Sequence, residues 1–165
     1  MDRRKLAVVN VVFRDILGRR ELLFIRRRDN PFDPWRGDVG FPGGGSLEGE
    51  DPIVTALRET WEEVGISPSS LDVLGVYGYE KTPIIPGLRV AIVLSRLKDP
   101  RVEFKPAWDE VSEVFWVRID DIVGPVRLFH PFKGIVVEAY IADNHIVWGF
   151  TKRVLNRILL VLRQL

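Results

Sequence analysis

The stretch that most narrows the fold of this chain is DPIVTALRETWEEVGISP, Asp51 to Pro68, because both ends of one helix are written into it. Asp51 offers an N-cap side chain and Pro52 is the residue best suited to the first helical position, while Gly65 followed by Ser67 and Pro68 supplies a stop. Residues 52 to 64 are therefore predicted to be helical. Immediately upstream, DNPFDPWRGDVGFPGGGSLEGEDP interleaves Pro31, Pro34, Pro42 and Pro52 with glycines, which is loop chemistry. A loop of that length inside a compact domain is usually functional.

The flanking segments read as strands. LAVVNVVF and ELLFIRR surround RDILGRR, with Gly18 in the turn, and form a predicted hairpin. LDVLGVYGYE and LRVAIVLSRL are separated by KTPIIPG, VSEVFWVRI leads into DDIV, and GIVVEAYIADNHIVWGF folds back around Asp143 and Asn144. The last segment, TKRVLNRILLVLRQL, gathers Val154, Leu155, Ile158, Leu159, Leu162 and Leu165 on one side of an amphipathic helix. With 165 residues, 46% of them hydrophobic, the expectation is a single domain over residues 1–165 of the α/β class, α+β in type, a mixed β-sheet sandwiched between helices.

Charge and composition remove several function classes. The net charge is +1, so no overall field draws the chain to nucleic acid or to a membrane, and any charged partner must be recognised locally. The absence of cysteine excludes thiolate nucleophiles and thiolate metal sites and suits a cytoplasmic location, leaving oxygen ligands for any metal chemistry. MDRRKLAVVNVVFRD begins basic, but its apolar run is broken by Asn10 and Arg14, so no signal peptide is expected; ILLVL is far short of a membrane span. A single Met and few amides are a composition seen in thermophile proteins.

Within the predicted helix, Glu59, Glu62 and Glu63 stand three and four apart, so their charges border one face and repel by a few tenths of a kcal/mol per pair, roughly. A solvated acidic face is one reading. The other is a cation site, because a hard ion such as Mg²⁺ or Mn²⁺ takes carboxylate and carbonyl oxygens and retains waters to share with substrate phosphates. The surrounding residues favour the second. GGSLEGEDPIVTALRETWEEVGI, residues 44 to 66, places Gly44, Glu50, Arg58, Glu59, Glu62, Glu63, Gly65 and Ile66 in the pattern Gly-x5-Glu-x7-Arg-Glu-U-x-Glu-Glu-x-Gly-U, where U is aliphatic. This resembles the Nudix box, departing from it only at Thr60, where the family has an aliphatic residue.

The resemblance implies a Nudix fold and a Mg²⁺- or Mn²⁺-dependent hydrolase that cleaves the diphosphate of a nucleoside diphosphate derivative. Glu59 and Glu63 are then the main metal ligands, Glu62 a further ligand or a partner of those ligands, the Gly44 carbonyl another ligand, and Glu50 an outer-sphere or loop-holding residue, while Arg58 fixes carboxylate rotamers by charge-assisted hydrogen bonds. Gly43, Gly44 and Gly45 let backbone approach phosphate or cation where side chains would obstruct. For the general base, Glu110 in KPAWDEVSEVFWV lies six residues before Trp116, a spacing similar to the base-bearing loop of some members; Asp109, Glu113 and Glu80 compete. The segments around Gly37, Phe41, Pro42, Gly43 and Gly44 and around Trp148, Gly149 and Thr151 are similar to the coenzyme A pyrophosphatase branch, although Asp33 stands where that branch has an arginine. The substrate expected is coenzyme A or a related compound, with ADP-ribose, nucleotide sugars, or sensing of a nucleotide without cleavage as alternatives, in a monomer or homodimer.

Outside the box, Arg26 and Arg28 share a face of an alternating strand and are candidate phosphate contacts; a solvated, aggregation-resistant edge is the competing reading. Trp35 is a candidate for stacking on a nucleobase. His130 and His145 have no metal-ligand spacing and receive no role.

Overall fold

The computed structural model describes residues 5–165. The basic opening at Met1 to Arg4, on which part of the signal-peptide reading rests, lies outside them.

The first hairpin forms as expected from β1 (Leu6–Ile16) and β2 (Arg19–Arg27), closed by Leu17 and Gly18 with positive φ. Two short strands follow in the Gly/Pro-rich stretch, β3 (Val39–Gly40) and β4 (Gly43–Gly45), and then α1 (Pro52–Val64). The predicted ends of α1 are both present: the Asp51 side chain accepts from the Ile53 amide, and Gly65 takes φ 75° while its amide closes on the Trp61 carbonyl. β5 (Leu71–Lys81), β6 (Arg89–Leu97) and β7 (Val111–Arg118) complete the main sheet.

That sheet has seven strands in the path β3-β2-β1-β6-β5, with β4 added to β1 and β7 to β2. It is mixed: β1 and β6 run parallel and the other pairs antiparallel. A second, three-stranded antiparallel sheet holds β8 (Ile122–His130), β9 (Ile135–Ala142) and β10 (His145–Trp148). The sequence showed the β9–β10 hairpin around Asp143; β8 was missed, because most of its residues are exposed and Gly124-Pro125 interrupts its pattern. The chain closes with α2 (Gly149–Gln164).

Alternation along β2 divides the core. Leu22 and Phe24 pack with Phe13, Val154, Leu155, Ile158 and Leu162 under α2, and this cluster also takes Tyr140, Ala142 and Val147 from the small sheet. Leu23 and Ile25 pack with Val64, Ile66 and Val111 under α1. The sheet is thus enclosed between helices, the expected mixed α+β architecture. The predicted α2 stripe is buried except at Leu165, 61% exposed, because the helix ends before it.

Thr60 has a reason in the core. Its hydroxyl donates to the Ala56 carbonyl (2.7 Å) and accepts from Asn10 Nδ2 (2.9 Å), while Asn10 Oδ1 accepts from Ser95 (2.8 Å). All three side chains are fully buried, and an aliphatic residue at 60 would leave the Asn10 amide without that acceptor.

Candidate active site

Helical periodicity turns Thr55, Ala56, Thr60, Glu63 and Val64 toward the sheet, so Glu63 is carried inward with apolar neighbours and is only 4% exposed. Its Oε1 accepts from the Gly43 amide at 2.7 Å. Burial pushes the Glu63 carboxyl up to about 8; the Gly43 amide and the Arg27 charge oppose that rise, while Glu59 and Glu110 add to it. Glu59, with a side chain 15% exposed, is raised too, chiefly by burial and against the hydrogen bond from Arg58.

Arg58 ties the box together. Its Nε donates to Glu50 Oε1 (2.9 Å), Nη1 to Glu59 Oε1 (2.9 Å) and Glu62 Oε2 (3.2 Å), and Nη2 to the Gly45 carbonyl (3.1 Å). Glu50 also accepts from the Leu47 amide, so it holds the loop before α1, and Arg58 keeps its carboxyl below the usual range. Glu62 is the most exposed of the three box glutamates and meets Arg58 at the surface.

The three glycines of β4 are needed for different reasons. A Cβ on Gly43 would strike the Val8 carbonyl across the sheet, and one on Gly44 would lie 2.5 Å from Glu59 Oε1, whereas at Gly45 it would meet open space. The close approach is therefore to β1 and to the Glu59 carboxylate, a tighter use of Gly43 and Gly44 than room for phosphate.

Beside Glu63 opens a cleft of about 340 Å³. It is lined by the acids Glu63, Asp109 and Glu110, by Arg27 and Arg28, and by the loop residues Asn30, Phe32, Asp33 and Pro34. The loop bearing Glu110 is strapped to the end of α1: Lys105 donates its amide to the Val64 carbonyl (2.8 Å) and Ala107 to that of Glu63 (3.0 Å). Gly65 permits this, since a Cβ there would lie 2.5 Å from Lys105 Cβ.

Two sequence expectations are corrected. Arg26 does not share the cleft with Arg28: it turns to the α2 face and pairs with Glu113 (3.2 Å), while Arg27 lines the cleft and pairs with Asp33 (2.5 Å). Arg26 continues the side of β2 that Leu22 and Phe24 turn to α2 and Arg27 the side that Leu23 and Ile25 turn to α1, and with the strand ending at Arg27 simple alternation no longer extends to Arg28. Trp35 does not line the cleft. It sits half-buried in a turn whose Asp33 carboxylate accepts the Trp35 amide, and the aromatic residue that reaches the cleft is Phe32, 93% exposed. Among the competitors of Glu110, Asp109 is in the cleft, Glu113 faces away to His145, and Glu80 is held by Arg153 and Arg157 on the far side.

The two distant segments around 37–44 and 148–151 meet in space. Trp148 Nε1 donates to Asp38 (3.2 Å), and a Cβ on Gly40 would lie 3.1 Å from Thr151 Oγ1. No sequence signal announced this contact.

The sequence profile of the NUDIX domain matches residues 3–140. An uncharacterized Nudix hydrolase, NudL, of Pectobacterium atrosepticum is 31% identical over 152 residues, spanning 84% of this chain and 73% of its own. The fold is similar to that of a C. elegans Ap4A hydrolase in a binary complex (TM-score 0.57, 23% identity, 71% of this chain and 82% of that one). It is also similar to the NUDIX domain of Shewanella oneidensis NrtR complexed with ADP ribose (TM-score 0.54, 23% identity, 73% and 77%). At that identity the structural likeness speaks for the fold alone.

Proposed function

This chain belongs to the Nudix family and is a pyrophosphohydrolase of that class, and we propose that it hydrolyses the diphosphate linkage of coenzyme A or a related nucleoside diphosphate derivative with Mg²⁺ or Mn²⁺. The observation that carries the reading is the pair Glu59 and Glu63, four residues apart on α1 and both raised by desolvation: Glu63 is buried and lines the cleft together with Arg27 and Arg28, and Glu59 is half-buried beside Gly44.

Buried carboxylates without a matching cation are costly, and an all-oxygen set fits a hard divalent ion. Glu59, Glu63 and the Gly44 carbonyl would hold it, with Glu62 beside them. Such an ion, when bound, acidifies water and offsets charge on phosphate oxygens.

The rest falls to the chain's own groups. Arg27, oriented by Asp33, and Arg28 bind the diphosphate through charge-assisted hydrogen bonds. Glu110 takes a proton from the attacking water as its oxygen bonds to phosphorus and the P–O–P bridge breaks, the departing phosphate leaving with the bridging oxygen. Arg58 keeps Glu50 and Glu59 in place. Coenzyme A is favoured by the meeting of Asp38 with Trp148 and of Gly40 with Thr151, which joins the two segments similar to that branch.

ADP-ribose is the chief alternative substrate. The cysteine-free chain suits a reducing cytoplasm, and among the described residues no helix is long and apolar enough to cross a membrane. The test is a panel with product identification: coenzyme A, ADP-ribose, NADH, dinucleoside polyphosphates and oxidised nucleoside triphosphates with Mg²⁺ or Mn²⁺. Cleavage of coenzyme A to a nucleotide and a phosphopantetheine supports the reading. Preference for ADP-ribose replaces the substrate, and tight binding without product from any of them makes the chain a sensor.

A further inference from the structure

We propose that Glu113 is a positioning residue for this reaction: clipped between Arg26 and His145, it fixes the strand register that holds Glu110 at the cleft. The proposal rests on reading Glu110 as the base.

The two oxygens of Glu113 are bound by different strands. Oε1 accepts from Arg26 Nη1 on β2 at 3.2 Å, and Oε2 accepts from His145 Nε2 on β10 at 2.5 Å. The imidazole is itself held flat against Phe115, two residues along β7, with ring centroids 4.0 Å apart and planes 16° apart. One carboxylate therefore joins the main sheet to the small one, on the side away from the cleft.

The clip stands at the edge of an irregularity that matters to the site. Arg26 pairs with Glu113 and Arg27 with Val111, leaving Ser112 as the extra residue of a bulge. Across it the facing of β7 reverses: Val111 is buried in the cluster under α1, while Glu113, only two residues on, lies on the α2 side with Phe115 and His145. Pairing then continues out of register, the Arg28 amide donating to the Glu110 carbonyl at 3.0 Å. Bulges re-aim side chains beside active sites, and slipping the register by one residue would turn each following side chain to the other face. The bulge thus determines which acid of this segment meets Glu63, and Glu113 is the side chain that locks the register on its C-terminal side. On the other side the loop is already anchored to α1 through Lys105 and Ala107.

The experiment is a double-mutant cycle in steady-state kinetics with whichever compound of the substrate panel the enzyme cleaves. Glu113→Ala should lower kcat roughly ten-fold or more with KM within about two-fold, because the misplaced group acts in the chemical step. In a Glu110→Gln background the same change should produce no further fall, since no base remains to be positioned. Glu113→Gln, which keeps an oxygen for Arg26, should recover most of the turnover. A kcat left at the wild-type value in Glu113→Ala, or a loss that multiplies with that of Glu110→Gln, would overturn the proposal. Should Glu113→Ala fail to fold, His145→Ala carries the same cycle by removing one arm of the clip. Full turnover in Glu110→Gln alone would withdraw the base reading and the proposal with it, whereas an impaired Glu110→Gln beside an unimpaired Glu113→Ala would remove only the proposal.

Discussion

The Gly43 amide donates to Glu63 Oε1 at 2.7 Å, tying the short strand β4 to the buried end of α1. Without a cation nearby this is a costly arrangement, because Glu63 rises from 4.5 to about 8, mainly through burial. A carboxyl raised in the folded state stabilises the fold below the unfolded value, and that stability is lost as pH climbs through the folded value. Metal-free protein should therefore lose stability between about pH 4.5 and 8, by a few kcal/mol at most. Thermal melts of Glu63→Gln should be flatter over that range, and Mg²⁺ should raise the wild-type Tm above pH 8 while leaving Glu63→Gln much less affected. Turnover in Glu63→Gln should fall by orders of magnitude, roughly.

Neighbouring glycines should fail in different ways. Gly44→Ala would press on the carboxylate of Glu59, the end of a flexible side chain, and should lower turnover more than ten-fold or so with a Tm near wild type. Gly43→Ala would press on the Val8 backbone, which cannot swing aside, and should cost about 1–3 kcal/mol of stability. Melting and kinetics on the two purified variants separate the outcomes; equal Tm losses would contradict the geometry.

The corrected facing of the arginines is open to a direct check. Arg27→Gln should raise KM about ten-fold, as a charge-assisted phosphate contact of roughly 1.5 kcal/mol is lost. Arg26→Gln should leave KM unchanged, since Arg26 points to Glu113 and away from the cleft. A rise in KM for Arg26→Gln alone would restore the alternating-strand reading.

Thr60→Val restores the aliphatic residue usual in the box, yet it should destabilise this protein by about 1–3 kcal/mol, because Asn10 Nδ2 loses its buried acceptor. Replacing Asn10, Thr60 and Ser95 together with apolar residues of similar shape should recover much of that loss. Denaturant unfolding of the single and triple variants measures both; a neutral single change would mean that Asn10 finds another partner.

Several features were legible from local chemistry. Asp51, Pro52 and Gly65 delimited α1 because caps act within one turn of the helix end, and the spacing of Glu59 and Glu63 placed both on one side because helical geometry repeats every few residues. The position of Glu110 in a loop before β7 was legible too, and Glu110 lines the cleft. Strand β8 was not, since a mostly exposed strand leaves no alternation to read.

What the amino-acid order determined by itself was the helix, its acidic face, the hairpins and the family pattern around them, all of which depend on neighbours a few residues apart. Only the tertiary structure decided that Glu63 is buried, that Arg27 and not Arg26 faces it, and that Glu113 is bound by His145. Burial depends on which face of α1 meets the sheet, the facing of the arginines on which side of β2 each helix covers and where that strand ends, and the Glu113 contact on docking one sheet against another. Such relations arise only when distant segments pack, so no local spacing encodes them.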